Sequence, residues 1–231
     1  MPGTGTGGGN GAVTRSTLRQ QLADALRYEV LAGRLKPGQE FTVKEIAEQY
    51  GVSATPVREA LVDLSAQGLL DAVQHRGFEV HEYSAADYRY MVEARLMVTD
   101  GMFHRLGDRK VDPRTAAALA GVRRRGEEAR RAATSGDLDI LIGYDLRFWR
   151  ELTTLFGNPY LTDFLHRLRL QSWVCAVQRL RRAGDLRGRL WAGYTDLVDA
   201  LGRQDARTAR EIVAGYDEHS LTLVEPGAGG G

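Results

Sequence analysis

The chain has 231 residues, 31 Lys and Arg against 30 Asp and Glu, a formal net charge of +1, 43% hydrophobic and 26% charged residues. These proportions describe a soluble globular protein of one large or two ordinary domains, and no apolar run reaches the ~20 residues that a bilayer-spanning helix needs. Met1-Pro2-Gly3-Thr4-Gly5 has neither region of a signal peptide, and a single cysteine, Cys175, excludes an internal disulfide and suits a reducing cytoplasm.

Residues 1–13 are glycine-rich and nearly without large apolar side chains, as is 226–231, so both ends are expected to be disordered. The spacing of Leu18, Leu22, Leu26, Val30 and Leu31 predicts a helix from Thr14 to Gly33. After the Pro37-Gly38 turn, Thr42 and Glu45 form a capping-box pattern that opens a short helix with Val43, Ile46 and Ala47 inward. Gly51 ends it, and Ser53 is placed to cap a third helix that faces inward through Val57, Ala60, Leu61 and Leu64. Leu69–Val73 and Phe78–His81, around Gln74-His75-Arg76-Gly77, read as a β-hairpin. From Ser84 strand signals vanish. Helices are predicted at about 85–107, 113–133, 136–155, 158–182, 185–202 and 204–224, separated by Gly, Asn, Asp and Pro punctuation. The expected fold is therefore mainly α, with a three-helix and hairpin unit over 14–82 and an all-helical unit over 83–225.

Two short helices joined by Tyr50-Gly51-Val52-Ser53 make a helix-turn-helix pattern, with the hairpin as its wing. A capped helix N-terminus suits phosphate and can enter the major groove. Arg58 can offer two donors to guanine, Thr55 can meet a phosphate or a thymine methyl, and Lys44 can reach phosphate. Against this, residues 1–82 hold eight Lys and Arg and ten Asp and Glu, a net −2, so composition alone does not suggest DNA. Charged residues more often only solvate a helix face. The spacing favours contact for Arg58 and Lys44, and leaves His75 and Arg76 balanced between phosphate contact and plain exposure.

The run Ile46-Ala47, Gly51-Val52-Ser53-Ala54-Thr55-Pro56-Val57-Arg58-Glu59-Ala60-Leu61, Gly68-Leu69 and Arg76-Gly77-Phe78 resembles the GntR family of bacterial regulators. The resemblance implies a homodimer that binds double-stranded operator DNA through Lys44, Ser53, Thr55, Arg58, His75, Arg76 and Gly77. Ala54 stands where the family usually has an arginine, which puts the usual operator sequence in doubt.

The helical half resembles the FCD effector domain of the FadR-like branch through Glu93-Ala94-Arg95, Asp145-Leu146-Arg147-Phe148, Gly157-Asn158-Pro159 and Gln204-Asp205. This implies an antiparallel bundle around a cavity that in many members holds a divalent metal with one Asp and three His. Asp145 matches the Asp ligand, but the histidine positions fall on Trp149, Tyr194 and Tyr216. A lone carboxylate does not supply such a cation, so no metal or other cofactor is expected. The expected effector site is Arg95, Asp145, Trp149, Tyr194 and Tyr216. Arg95 would pair either with an effector carboxylate or with Asp145, and the aromatics would be either pocket wall or core. Of the remaining histidines, His219, one turn beyond Tyr216, can lean inward but is expected rather to face solvent, and Cys175 is expected to be inert core. The function expected is that of an effector-responsive regulator, more specifically a repressor. The alternatives are a regulator whose bundle only dimerises and, third, a helical-bundle enzyme, for which the sequence offers only Asp145.

Overall fold

The computed structural model describes residues 9–105 and 113–224, which divide between two compact units, Met1–Glu82 and Tyr83–Gly231. The first holds α1 (Gly9–Leu31), β1 (Glu40–Phe41), α2 (Val43–Tyr50), α3 (Ala54–Ala66), β2 (Leu70–Val73) and β3 (Gly77–Val80). The second holds α4 (Ala85–His104), α5 (Pro113–Ser135), α6 (Leu138–Thr154), α7 (Pro159–Arg182), α8 (Tyr194–Gly202) and α9 (Ala206–Thr222). Among the described residues no helix is long and apolar enough to cross a membrane.

In the first unit α1 and α3 pack together, burying Leu22, Leu26 and Val30 with Val57, Leu61 and Leu64. Thr42 and Glu45 form the full capping box at the start of α2: the Thr42 N–H donates to Glu45 Oε2 at 2.7 Å, and the Glu45 N–H donates to Thr42 Oγ1 at 3.2 Å. Gly51 closes α2 in the left-handed region at φ 65°, which turns the chain into α3.

Three expectations for this unit need correction. The helix of the first element begins at Gly9, inside the segment expected to be disordered, because extending an existing helix costs far less than nucleating one. Residues 1–8 and 226–231 of the expected arm and tail lie outside the described residues. Ser53 occupies the N-cap with extended backbone, but its side chain makes no capping hydrogen bond. The wing is a three-stranded antiparallel sheet in the order β1-β3-β2, with Phe41 opposite Phe78 and Ala72 opposite Phe78 on the other side.

In the second unit α4 packs on α7 and α9, α5 on α6 and α8, α6 on α7, and α8 on α9. Side-chain caps fix several starts: Ser84 with Asp87 for α4, Asp137 for α6, Asn158 followed by Pro159 for α7, and Asp205 for α9. The core runs through Leu141, Phe148, Leu152, Val174, Val177, Leu197 and Val213.

The helix expected over 185–202 is wrong in its first half. Residues 183–193 are not helical, and α8 starts at Tyr194. Gly184 and Gly188 sit at φ 74° and 70°, where helical hydrogen bonding cannot continue, and the Asp185 carboxylate accepts from the Arg187 backbone N–H at 3.0 Å, which favours the turn.

Candidate nucleic-acid interface and helical-unit cavity

The first turns of α3 present Ser53, Ala54, Thr55, Arg58 and Glu59 to solvent, while Pro56, Val57 and Ala60 are buried. The burial pattern aims Arg58 and Thr55 outward without any further device. Among the described residues Arg58 has no ion-pair partner, and Lys44 is 84% exposed in its side chain, 3.8 Å from Glu48. Arg58, and Lys44 through its loose and exposed pair, can reach phosphate or base edges.

The wing is less free. Arg76 Nη1 lies 3.0 Å from Glu40 Oε1, so part of its charge is answered by the neighbouring strand end. His75 stands at the turn with φ 64°. Gly77 has φ 125°, and a Cβ there would meet Phe41 O at 2.4 Å. Packing of β3 on β1 therefore dictates that glycine.

In the helical unit the anticipated site residues separate into two groups. Asp145 is fully buried and accepts three hydrogen bonds: Trp149 Nε1 at 3.1 Å and Tyr194 OH at 2.9 Å to Oδ1, and Trp173 Nε1 at 2.8 Å to Oδ2. Burial, and then Asp145, hold the Tyr194 phenol in its protonated form, with its pKa well above the ordinary value. Two of the three groups on Asp145 are indole N–H donors with no lone pair to give, and the third is a phenol held protonated against the carboxylate, so they do not fit a divalent cation. Arg95 does not pair with Asp145. Its Nη2 lies 2.9 Å from Asp217 Oδ1, and its Nη1 donates to Ser172 Oγ at 3.3 Å.

A cavity of about 30 Å³ is lined by Arg95, Ser172, Trp191, Tyr194, Tyr216 and His219, among others; Asp145 and Trp149 are not in its wall. His219 thus leans inward, contrary to expectation. Its Nε2 is buried with no hydrogen-bond partner among the described residues, and burial lowers the pKa of the ring. Cys175 is half-buried, and burial pushes its thiol up to about 11, in keeping with an inert side chain.

The aromatic residues pack closely. Ring centroids of Trp191 lie 4.5 Å from Tyr194 and 4.8 Å from Tyr216, and those of Trp149 and Tyr216 lie 5.1 Å apart.

Sequence reasoning missed two residues. Arg169 is 1% exposed, with its guanidinium 3.7 Å over the Trp149 ring and Nη1 donating to Tyr216 OH at 3.1 Å. Burial lowers its pKa, with Tyr216 opposing. The signal available was its position on α7, three and four residues before Ser172 and Trp173 on the inward face. Trp191 was missed because it sits in the segment misread as helix.

A winged helix-turn-helix joined to an all-helical bundle defines a DNA-binding transcriptional regulator, and the comparisons agree. Residues 18–80 match the model of bacterial regulatory proteins of the gntR family, and residues 91–218 match the FCD domain. The chain belongs to the GntR family, in its FCD-bearing, FadR-like branch. It is 31% identical over 210 residues to the probable D-xylose utilization operon transcriptional repressor of Paenarthrobacter nicotinovorans, covering 91% of this chain and 86% of the relative. It is 25% identical over 230 residues to the HTH-type transcriptional regulator McbR of Escherichia coli K12, covering 97% of each. A solved structure of E. coli McbR/YncC matches with a TM-score of 0.71 at 25% identity, over 90% of this chain and 96% of that one. These relatives are regulators, not enzymes.

Proposed function

We propose that the protein is a homodimeric repressor whose grip on an imperfectly palindromic operator is set by a small organic effector in the helical unit. DNA is read by Arg58 and Thr55, with phosphate contacts from Lys44, Ser53, His75 and Arg76. Arg58 carries the reading because it is exposed on the N-terminal turns of α3 with no ion-pair partner among the described residues. The relative named as a repressor supports the sign of regulation. Exposed Tyr90 and Met97, two turns apart on α4 and each 67% exposed, provide an apolar face for a second copy.

The effector reading rests on buried guanidinium N–H groups of Arg95 and Arg169, in and behind the cavity region, that have no acceptor among the described residues, since such groups are costly without an acceptor. An effector acts by preferring one spacing of the two reading heads. A second reading, in which the bundle only dimerises, is favoured by the small cavity volume.

A gel shift on the DNA upstream of the protein's own gene tests both parts. Arg58→Ala should cost ~1–3 kcal/mol of specific binding and relax selectivity at its base pair; unchanged affinity rejects the assignment. Release of the operator by a metabolite that also raises the melting temperature supports the effector. A metabolite screen without either effect favours the dimerising bundle.

A further inference from the structure

The sequence contains three tryptophans, and two of them are tied down: Trp149 and Trp173 both donate their indole N–H to Asp145. The third, Trp191, lies on the non-helical 183–193 loop and is half-buried, and among the described residues no hydrogen bond holds its indole. Ring packing alone keeps it in place, edge-on to Tyr194 and Tyr216 and stacked at 26° and 6.4 Å on Trp149. There it forms part of the cavity wall with Leu190. A Cβ on Gly193 would come within 2.8 Å of the Trp191 ring, so the bare backbone at 193 is what lets the indole lie down.

In and behind the same wall, three guanidinium N–H positions lack an acceptor among the described residues: Arg95 Nε, and Arg169 Nε and Nη2. Both side chains are at most 2% exposed. Arg95 has a carboxylate partner in Asp217, whereas among the described residues Arg169 has none within ion-pair reach. Stacking on Trp149 engages the face of the Arg169 guanidinium but not its in-plane N–H groups, which still need oxygen. At about 30 Å³ the cavity admits a water or two, far below the ~300 Å³ of small-ligand pockets. For an organic molecule to enter, a wall must move, and Trp191 is the aromatic wall residue that sits on a non-helical loop, half-buried, with no hydrogen bond to its indole among the described residues.

We infer that Trp191 is a displaceable plug and that the site beneath it takes a small aromatic carboxylate. The ligand ring replaces the indole against Tyr194 and Tyr216, and the carboxylate meets the guanidinium edges of Arg95 and Arg169. The inference rests on the reading that this unit receives an organic effector, and it names the effector's class and its gate.

Calorimetric titration of the full-length protein with benzoate, its neutral counterpart benzamide, and acetate tests the inference. Benzoate should bind at least ten times more tightly than either of the others. Trp191→Ala should strengthen benzoate binding about tenfold, because no indole has to leave before the site is competent. Trp191→Phe, a smaller ring that keeps the wall packed, should strengthen it severalfold and serves if the alanine variant fails to fold. Benzamide or acetate binding as well as benzoate would overturn the assignment of the ligand class. Benzoate affinity unchanged in folded Trp191 variants would overturn the plug, and no benzoate binding in those variants would overturn the site. The readout is binding rather than operator release. Benzoate that binds through the gate without moving operator affinity therefore rejects the effector reading alone, and a metabolite that releases the operator equally in the Trp191 variants rejects the plug alone.

Discussion

Three neutral donors converge on Asp145, and that arrangement explains how a carboxylate survives fully buried. An asparagine there has one accepting oxygen in place of two, so at least one of Trp149, Trp173 and Tyr194 is left without an acceptor. Asp145→Asn should therefore lower stability by about 1–3 kcal/mol, read as a shift in the urea midpoint; an unchanged midpoint would remove Asp145 from its place as the hub of the cluster. Gly77 makes a different kind of demand. Its φ of 125° and the 2.4 Å approach to Phe41 O predict that Gly77→Ala destabilises the reading unit by more than about 1 kcal/mol. Arg76→Ala, which removes an exposed pair, should cost less than about 1 kcal/mol, and comparing the two variants by thermal melts separates packing from surface charge at the wing.

At the scale of elements, α2 has only eight residues, too few to be stable by propensity. Its capping box and the burial of Ile46 and Ala47 hold it against α3. Thr42→Ala removes the side-chain acceptor for the Glu45 N–H and should cost about 1 kcal/mol. Operator affinity should fall with it if α2 sets the angle at which α3 is presented. Both effects are measurable on one preparation by chemical denaturation and gel shift. The 183–193 loop shows the opposite logic. Its glycines keep the chain out of helix after α7 and delay α8 to Tyr194, and the freed chain carries Trp191 onto the aromatic cluster.

For the whole molecule, the reading half carries a net charge of −2 over residues 1–82, so phosphate attraction must come from a few placed cations rather than from a basic total. Lys44→Ala should weaken binding almost equally for operator and unrelated DNA, and should reduce the slope of log affinity against log salt by about 1 per reading unit. A slope that does not change would place Lys44 away from the phosphates.

The helix-turn-helix was legible in the sequence because its determinants are local. A cap three residues before Glu45, a left-handed Gly51, and apolar residues at helical spacing specify both helices and the exposed turn that presents Arg58. The class of protein, the helical nature of the second half and the inward position of Asp145 followed in the same way. Strand β1 did not, because two residues have no periodicity and Glu40–Phe41 becomes a strand only by pairing with β3. Arg169 was read past, and His219 was placed toward solvent, because what makes each of them notable is what surrounds it: aromatic faces and missing acceptors contributed by other helices. Nor does sequence spacing say that Arg95 meets Asp217, 122 residues away, rather than Asp145. Sequence alone determined most of the helices, the helix-turn-helix and, through the motifs it carries, the family, since these depend on neighbours along the chain. The tertiary structure decided which buried charges are paired, which are left with free donors, and that Trp191 stands in the cavity, because these depend on neighbours in space.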